Sequence, residues 1–149
     1  MNYSKALNEC IESAYMVAGH FGARYLESWH LLIAMSNHSY SVAGATLNDY
    51  PYEMDRLEEV ALELTETDYS QDETFTELPF SHRLEVLFAE AEYVASVVHA
   101  KVLGTEHILY AILHDGNALA TRILERAGFS YEDQKDQVRI AALRRNLEE

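Results

Sequence analysis

Two four-residue stretches hold the side chains best placed for chemistry, "ESWH" at 27–30 and "GTEH" at 104–107. In the second, Thr105 is expected to cap a helix by accepting a first-turn amide. Glu106 then lies where the helix dipole favours negative charge, and a carboxylate there can pair a cation. In the first, Ser28 stands for Thr105 and is expected to cap likewise, but Trp29 takes the place of the acid and Glu27 that of the glycine. The charge is thereby moved outside the first turn. His30 and His107 occupy matched places and read as buried, hydrogen-bonded packing residues. His107 and His114 share a helix face, with Asp115 beside them. An i, i+7 step is too long for the i, i+4 chelate of an HExxH site, so no metal is expected. No GxSxG elbow or Cys/His arrangement is visible, and Cys10 falls in an apolar stripe, so no catalytic residues are assigned. None of the six glycines belongs to a GxxxxGK[ST] phosphate loop.

Composition narrows the partners. The 149 residues carry 25 acids against 11 bases, a formal charge of −14. Such a chain repels nucleic acid and anionic membrane and suits proteins, peptides or cations. Its apolar runs, such as Ile108 to Leu113, are too short to cross a bilayer, and "MNYSKALNEC" lacks the build of a signal peptide. One cysteine permits no internal disulfide. A cytoplasmic protein is the expectation.

The elements that must position these residues are helices throughout. After Ser4 as N-cap, Leu7, Cys10, Ile11, Ala14, Val17, Ala18 and Phe21 recur at three- and four-residue steps. Shorter helices are expected at about Trp29 to Asn37 and Val42 to Asp49, and Pro51 opens a fourth with Met54, Leu57, Val60, Ala61 and Leu64 as its stripe. The pattern restarts at Ser81, with Leu84, Leu87, Phe88, Ala91, Val94, Ala95 and Val98 on one face, and four helices follow in the same order. The fold class is therefore all-α, with eight helices as two pseudo-symmetric four-helix repeats. Residues 4–51 slide onto 81–128 without a gap, with twelve of 48 positions identical, His30/His107 among them. This gives one domain over 1–149, with repeat one at 1–65, an acidic linker at 66–80 and repeat two at 81–149. The linker reads as solvated, and its interleaved Tyr69, Phe75 and Leu78 offer a docking strip as the alternative.

"GTEHILYAIL" followed by "GNALATRILERAG" strongly resembles the repeat signature of Clp N-terminal domains, the modules preceding the ATPase rings of ClpC-type AAA+ unfoldases. The resemblance covers essentially the whole chain, with "ESWHLLIAM" as its degenerate first copy. It implies a non-catalytic domain that docks adaptor proteins and captures protein substrates for a partner Clp peptidase reached through the rings. It implies no cofactor in this chain, with ATP and Mg confined to the ATPase modules. An isolated monomer and a full-length hexamer are expected. It further implies that Glu106 receives the guanidinium of phosphoarginine, with Ser81 and its helix start on the phosphate side; Ser4 would serve the first repeat. There Trp29 and Glu27 depart from the pattern, so the site formed by Ser4, Glu27, Ser28 and Trp29 is expected to be lost or turned over to adaptor contacts. The alternative is a stand-alone acidic helical ligand-binding protein or small enzyme sharing the repeat, which would hold a deep apolar pocket with displaced pKa values.

Overall fold

Ser4 and Ser81 begin the two halves in the same way. Each has extended backbone, and its hydroxyl accepts the amide of the residue three positions on, Leu7 at 3.0 Å and Leu84 at 3.1 Å. The computed structural model, which describes residues 1–66, 77–116 and 118–145, follows these caps with two sixteen-residue helices, α1 (Lys5–His20) and α5 (His82–Val97). Next come α2 (Ser28–Asn37) and α6 (Thr105–His114), then the short α3 (Val42–Leu47) and α7 (Leu119–Arg126). The fourth helices are α4 (Leu57–Thr65), entered through a 3₁₀ turn at Met54–Arg56, and α8 (Tyr131–Arg144). All eight helices read from periodicity are present. α4 starts later than Pro51 suggested, because residues 52–53 are irregular and 54–56 form that turn.

α1 packs on α2 and α5 on α6, as the matched stripes require. The third helices cross over: α3 lies against α6 and α8 of the second repeat, and α7 against α2 and α4 of the first. Two parallel backbone bridges seal the exchange, Tyr3 with Leu103 and Phe80 with Leu26. These are one contact made twice, since 80 − 3 and 103 − 26 both give 77. Leu31, Leu32, Ile33 and Met35 of α2 join Ile108, Leu109, Ile112 and Leu113 of α6 in one apolar core that spans both repeats. The interface is thus of the self-complementary, two-fold kind.

Symmetry fails in two places. The turn after α1 uses Gly22 at φ 61, whereas its counterpart after α5 is His99 at φ 58. A side chain there costs on the order of 1 kcal/mol. At the far end, α8 runs along α6, while the shorter α4 packs chiefly on α7. Of the proposed docking strip, Tyr69 and Phe75 lie outside the described residues, and Leu78 packs against the core. No helix among the described residues is long and apolar enough to cross a membrane, and these residues contain no cluster of three or more His, Cys, Asp or Glu side chains arranged to hold a metal ion.

Candidate functional site

Helix α6 starts one residue earlier than a Thr105 cap requires. Gly104 is the N-cap, and its amide donates to His107 Nδ1 at 2.9 Å, so the imidazole does the work of the acid in a capping box. Glu27 and His30 repeat this bond at 2.9 Å in α2. Ser28 and Thr105 are consequently first helical residues and not caps. Thr105 is buried, and its Oγ1 accepts the amide of Ala43 at 3.0 Å, so it serves the first turn of α3 in the other repeat. Ser41 takes the next amide of that turn, Gly44, also at 3.0 Å.

Glu106 is the second residue of α6 and keeps 19% of its side chain exposed. It opens on a crevice of about 270 Å³ shared with Ser4, Val102, Gly104 and Lys101. Its carboxylate lies 3.8 Å from His107 Nδ1, but that nitrogen is occupied as an acceptor from Gly104, so the contact is not an ion pair. The serine beside Glu106 is Ser4 and not Ser81. The amide of Ser4 donates to Leu103 O at 2.8 Å, placing the start of α1 against the start of α6. By the same geometry the amide of Ser81 donates to Leu26 O at 3.0 Å, which sets the start of α5 beside Glu27, Ser28 and Trp29. Each helix-start crevice therefore joins the two repeats, and the expected pairing of Ser81 with Glu106 is replaced by Ser4 with Glu106. Sequence periodicity could not reveal this, because the bridges that decide it are made by backbone atoms.

The second crevice, of about 560 Å³, runs from Glu27 and Trp29 past His82 and Arg83 towards Asp115. Trp29 is only 8% exposed. Its indole stands edge-on to Phe21 at 4.7 Å and lies 3.9 Å from the His30 ring. It closes the wall of the crevice and belongs to the core, which leaves little of the indole for an adaptor contact. His30, wholly buried behind it, has its pKa lowered to about 3 by desolvation.

A third surface was not singled out by motif. Helix α5 buries Leu84, Phe88, Ala91 and Ala95, yet Val86, Tyr93 and Val97 on its outer side are 45%, 71% and 57% exposed. Val98, expected on the inner face, is exposed as well. With Tyr110 of α6 and Leu143 of α8 these side chains form an apolar groove of about 700 Å³, at whose edge the Arg139 guanidinium sits 4.3 Å over the Tyr110 ring. The signal was present in the sequence: the matched positions of α1 are Glu9, Met16 and His20, so only α5 is apolar on both sides.

The profile of the Clp repeat N-terminal domain matches residues 2–127 and again 80–146, so that the second match falls on the second repeat. The chain belongs to the Clp N-terminal domain family. Solved structures agree on the fold. The N-terminal domain of the caseinolytic protease associated chaperone ClpD from Arabidopsis thaliana is 19% identical, with a TM-score of 0.75 over 95% of this chain and 92% of that one. The Hsp104 N-terminal domain from Candida albicans is also 19% identical, with a TM-score of 0.72 over 97% and 91%. A chain from a malarial protein secretion system is 21% identical, with a TM-score of 0.71 over 95% of each. The described residues of this Clp N-terminal domain thus form two crevices of unequal chemistry and one apolar groove.

Proposed function

We propose that this Clp N-terminal domain is the recognition module of an ATP-dependent unfoldase, docking adaptors and protein substrates and performing no reaction on them itself. The observation that carries the reading is the outer face of α5. A helix whose inner side already fills the core presents Val86, Tyr93 and Val97 to solvent beside a groove large enough for several side chains. Aromatic and aliphatic anchors over an open groove, with Arg139 at its edge, are the parts of a protein-docking surface. The alternative of a small enzyme or ligand carrier is less well supported: His30 and Tyr52, whose pKa values are displaced furthest by burial, line none of the three grooves. A photo-crosslinking amino acid placed at Tyr93 tests the docking reading with a permanently unfolded protein as bait. Crosslinking at 93 and little at the matched Met16 is expected; equal yields would remove α5 as the docking face.

The crevice between Ser4 and Glu106 favours a second, compatible reading, recognition of phosphoarginine. Glu106 offers a carboxylate to a planar guanidinium, and the α1 start with the Lys101 ammonium offers donors and positive charge to the phosphate. Trp29 leaves the other crevice without the matching acid. Titration with phosphoarginine, followed by backbone amide shifts, is expected to move Ser4, Lys101 and Glu106 first. Glu106→Ala and Ser4→Ala should each weaken binding by about tenfold or more, the scale of a lost hydrogen bond to a charged group, while Ser81→Ala leaves it unchanged. Loss of binding in Ser81→Ala alone would restore the within-repeat pairing.

A further inference from the structure

One chain of hydrogen bonds lies away from all three grooves. Ser13, in the middle of α1, has its Oγ 2.9 Å from His38 Nε2 at the end of α2. His38 Nδ1 lies 2.6 Å from the Tyr40 hydroxyl, which in turn donates to Glu9 Oε2. With the imidazole neutral, the direction of every bond follows from the last one. The single phenolic proton goes to the Glu9 carboxylate, so the phenol oxygen accepts from His38 and fixes the proton of the neutral imidazole on Nδ1. Nε2 is left with its lone pair towards the Ser13 hydroxyl, which donates to it. Glu9 holds that phenolic proton firmly, its hydrogen bond being the main reason the Tyr40 pKa is pushed up to about 12. The sequence Ser–His–Tyr–Glu thus reproduces what an acid does for a serine–histidine pair, with a phenol interposed.

The fold does not require this chain. The corresponding residues of the second repeat are Val86, Glu90, Asp115 and Asn117, with no hydroxyl, imidazole or phenol among them, although α5 and α6 pack as α1 and α2 do. We propose that Ser13 is a nucleophilic hydroxyl that accepts acyl groups from activated esters, with His38 as its base and Tyr40 and Glu9 as positioning residues. The inference stands apart from the docking reading. The Ser13 Oγ forms a bond to the ester carbonyl carbon as its proton passes to His38 Nε2. Collapse of the tetrahedral adduct breaks the bond to the aryloxide, which leaves with its electron pair and takes that proton, giving acyl-Ser13 and a phenol. Ser13 lies inside a helix whose amides are committed to its own ladder, so it brings no amide of its own to an oxyanion hole. Good leaving groups are needed, and the acyl group stays on.

p-Nitrophenyl acetate at neutral pH, with the purified domain and mass spectrometry of its peptides, tests the proposal. A burst approaching one equivalent of p-nitrophenol is expected, with the acetyl group on Ser13. Ser13→Ala, a favourable change inside a helix, should abolish the burst with an unchanged circular dichroism spectrum. His38→Gln should slow it by about 100-fold, the usual contribution of a general base. Tyr40→Phe, which removes the group that orients His38 and leaves the imidazole in place, should slow it by less, and it decides the matter if His38→Gln proves unstable. Acetyl groups confined to lysines and the N-terminus, or Ser13 labelled equally fast in Tyr40→Phe and His38→Gln, would overturn the assignment.

Discussion

The two helix-start crevices share a backbone plan, a serine-capped long helix meeting the start of a ten-residue helix from the other repeat, yet their side chains have parted. Beside Ser4 lie Glu106 and Lys101, both charged; beside Ser81 the equivalent of Glu106 is Trp29, folded inward against Phe21 and His30. A duplicated backbone therefore fixes where a crevice must be and leaves its chemistry to a few side chains at the helix start, Glu27 and Trp29 in one copy and Gly104 and Glu106 in the other. Helices α1 and α5 differ in the opposite sense, since polar Glu9 and His20 on α1 are answered by Val86 and Val97 on α5. The second repeat supplies both the acid in its α6 start and the apolar outer face of α5, so on the proposed reading it brings most of the side chains that would meet a partner, with Ser4 of the first repeat across the crevice from Glu106.

The sharpest way to break the comparison is to separate the repeats. One core spans both, α3 and α7 are exchanged, and Thr105 completes a helix start 62 residues away from it in the chain. We propose that 1–65 and 81–149 are repeats of a single folding unit, so that residues 1–66 expressed alone show no cooperative unfolding transition in calorimetry. A sharp transition in the isolated half would show that each repeat holds a sufficient core.

That exchange marks the limit of what the sequence displays. Periodicity fixed the inner faces of α1 through Leu7, Cys10, Ala14 and Ala18, and the caps at Ser4 and Ser81, because these depend on neighbours three and four residues apart. It could not say that Ser4 meets Leu103, because a backbone bridge has no side-chain signature. Thr105 departs from its expected capping role for a related reason. A threonine before an acid is chemically a good cap, but the helix starts from Gly104, whose carbonyl accepts the amides of His107 and Ile108, so Thr105 is already helical and its hydroxyl serves a distant amide. Val86, Tyr93 and Val97 were visible as apolar residues but lie off the stripe that a single-faced helix predicts.

The next largest effect is expected from pH. His30 has a pKa of about 3 in the folded chain, mainly through desolvation, against 6.5 when exposed. Between those values the unfolded chain binds a proton that the folded chain does not, so this contribution is complete above about pH 6.5 and is lost as pH falls towards 3. By pH 4 the loss amounts to on the order of 3 kcal/mol. His30→Gln keeps an acceptor for the Glu27 amide and removes the titration. Denaturant melts at pH 7 and pH 4 should therefore show a smaller loss in His30→Gln than in the parent; identical losses would mean that His30 accepts its proton while folded.

Thr105→Val should cost about 2 kcal/mol at neutral pH, the scale of a buried amide left without its acceptor, because valine matches the shape of threonine and offers nothing to Ala43. Ser28→Ala is the control within the comparison. Ser28 is also a first helical residue, is only partly buried, and its loss should matter less. Equal destabilisation by the two substitutions would mean that the repeats depend on these hydroxyls alike.

The smallest stability effect should come from giving α5 the outer face of α1, with Val86→Glu and Val97→His, the residues found 77 positions earlier. Both valines are about half exposed, so the change in unfolding free energy should stay within about 0.5 kcal/mol, as for surface substitutions away from caps and core. Crosslinking of the unfolded bait at Tyr93 should nevertheless fall sharply, because the groove loses its apolar rim and gains a charge beside Glu90. The two measurements separate the roles open to an exposed apolar face. A destabilisation of 2 kcal/mol or more would show that Val86 and Val97 hold α5 onto α6 and α8 as part of the core. Unchanged stability with undiminished crosslinking would move the docking surface elsewhere on the domain. Only unchanged stability with lost crosslinking fits an apolar face kept on one repeat for partners.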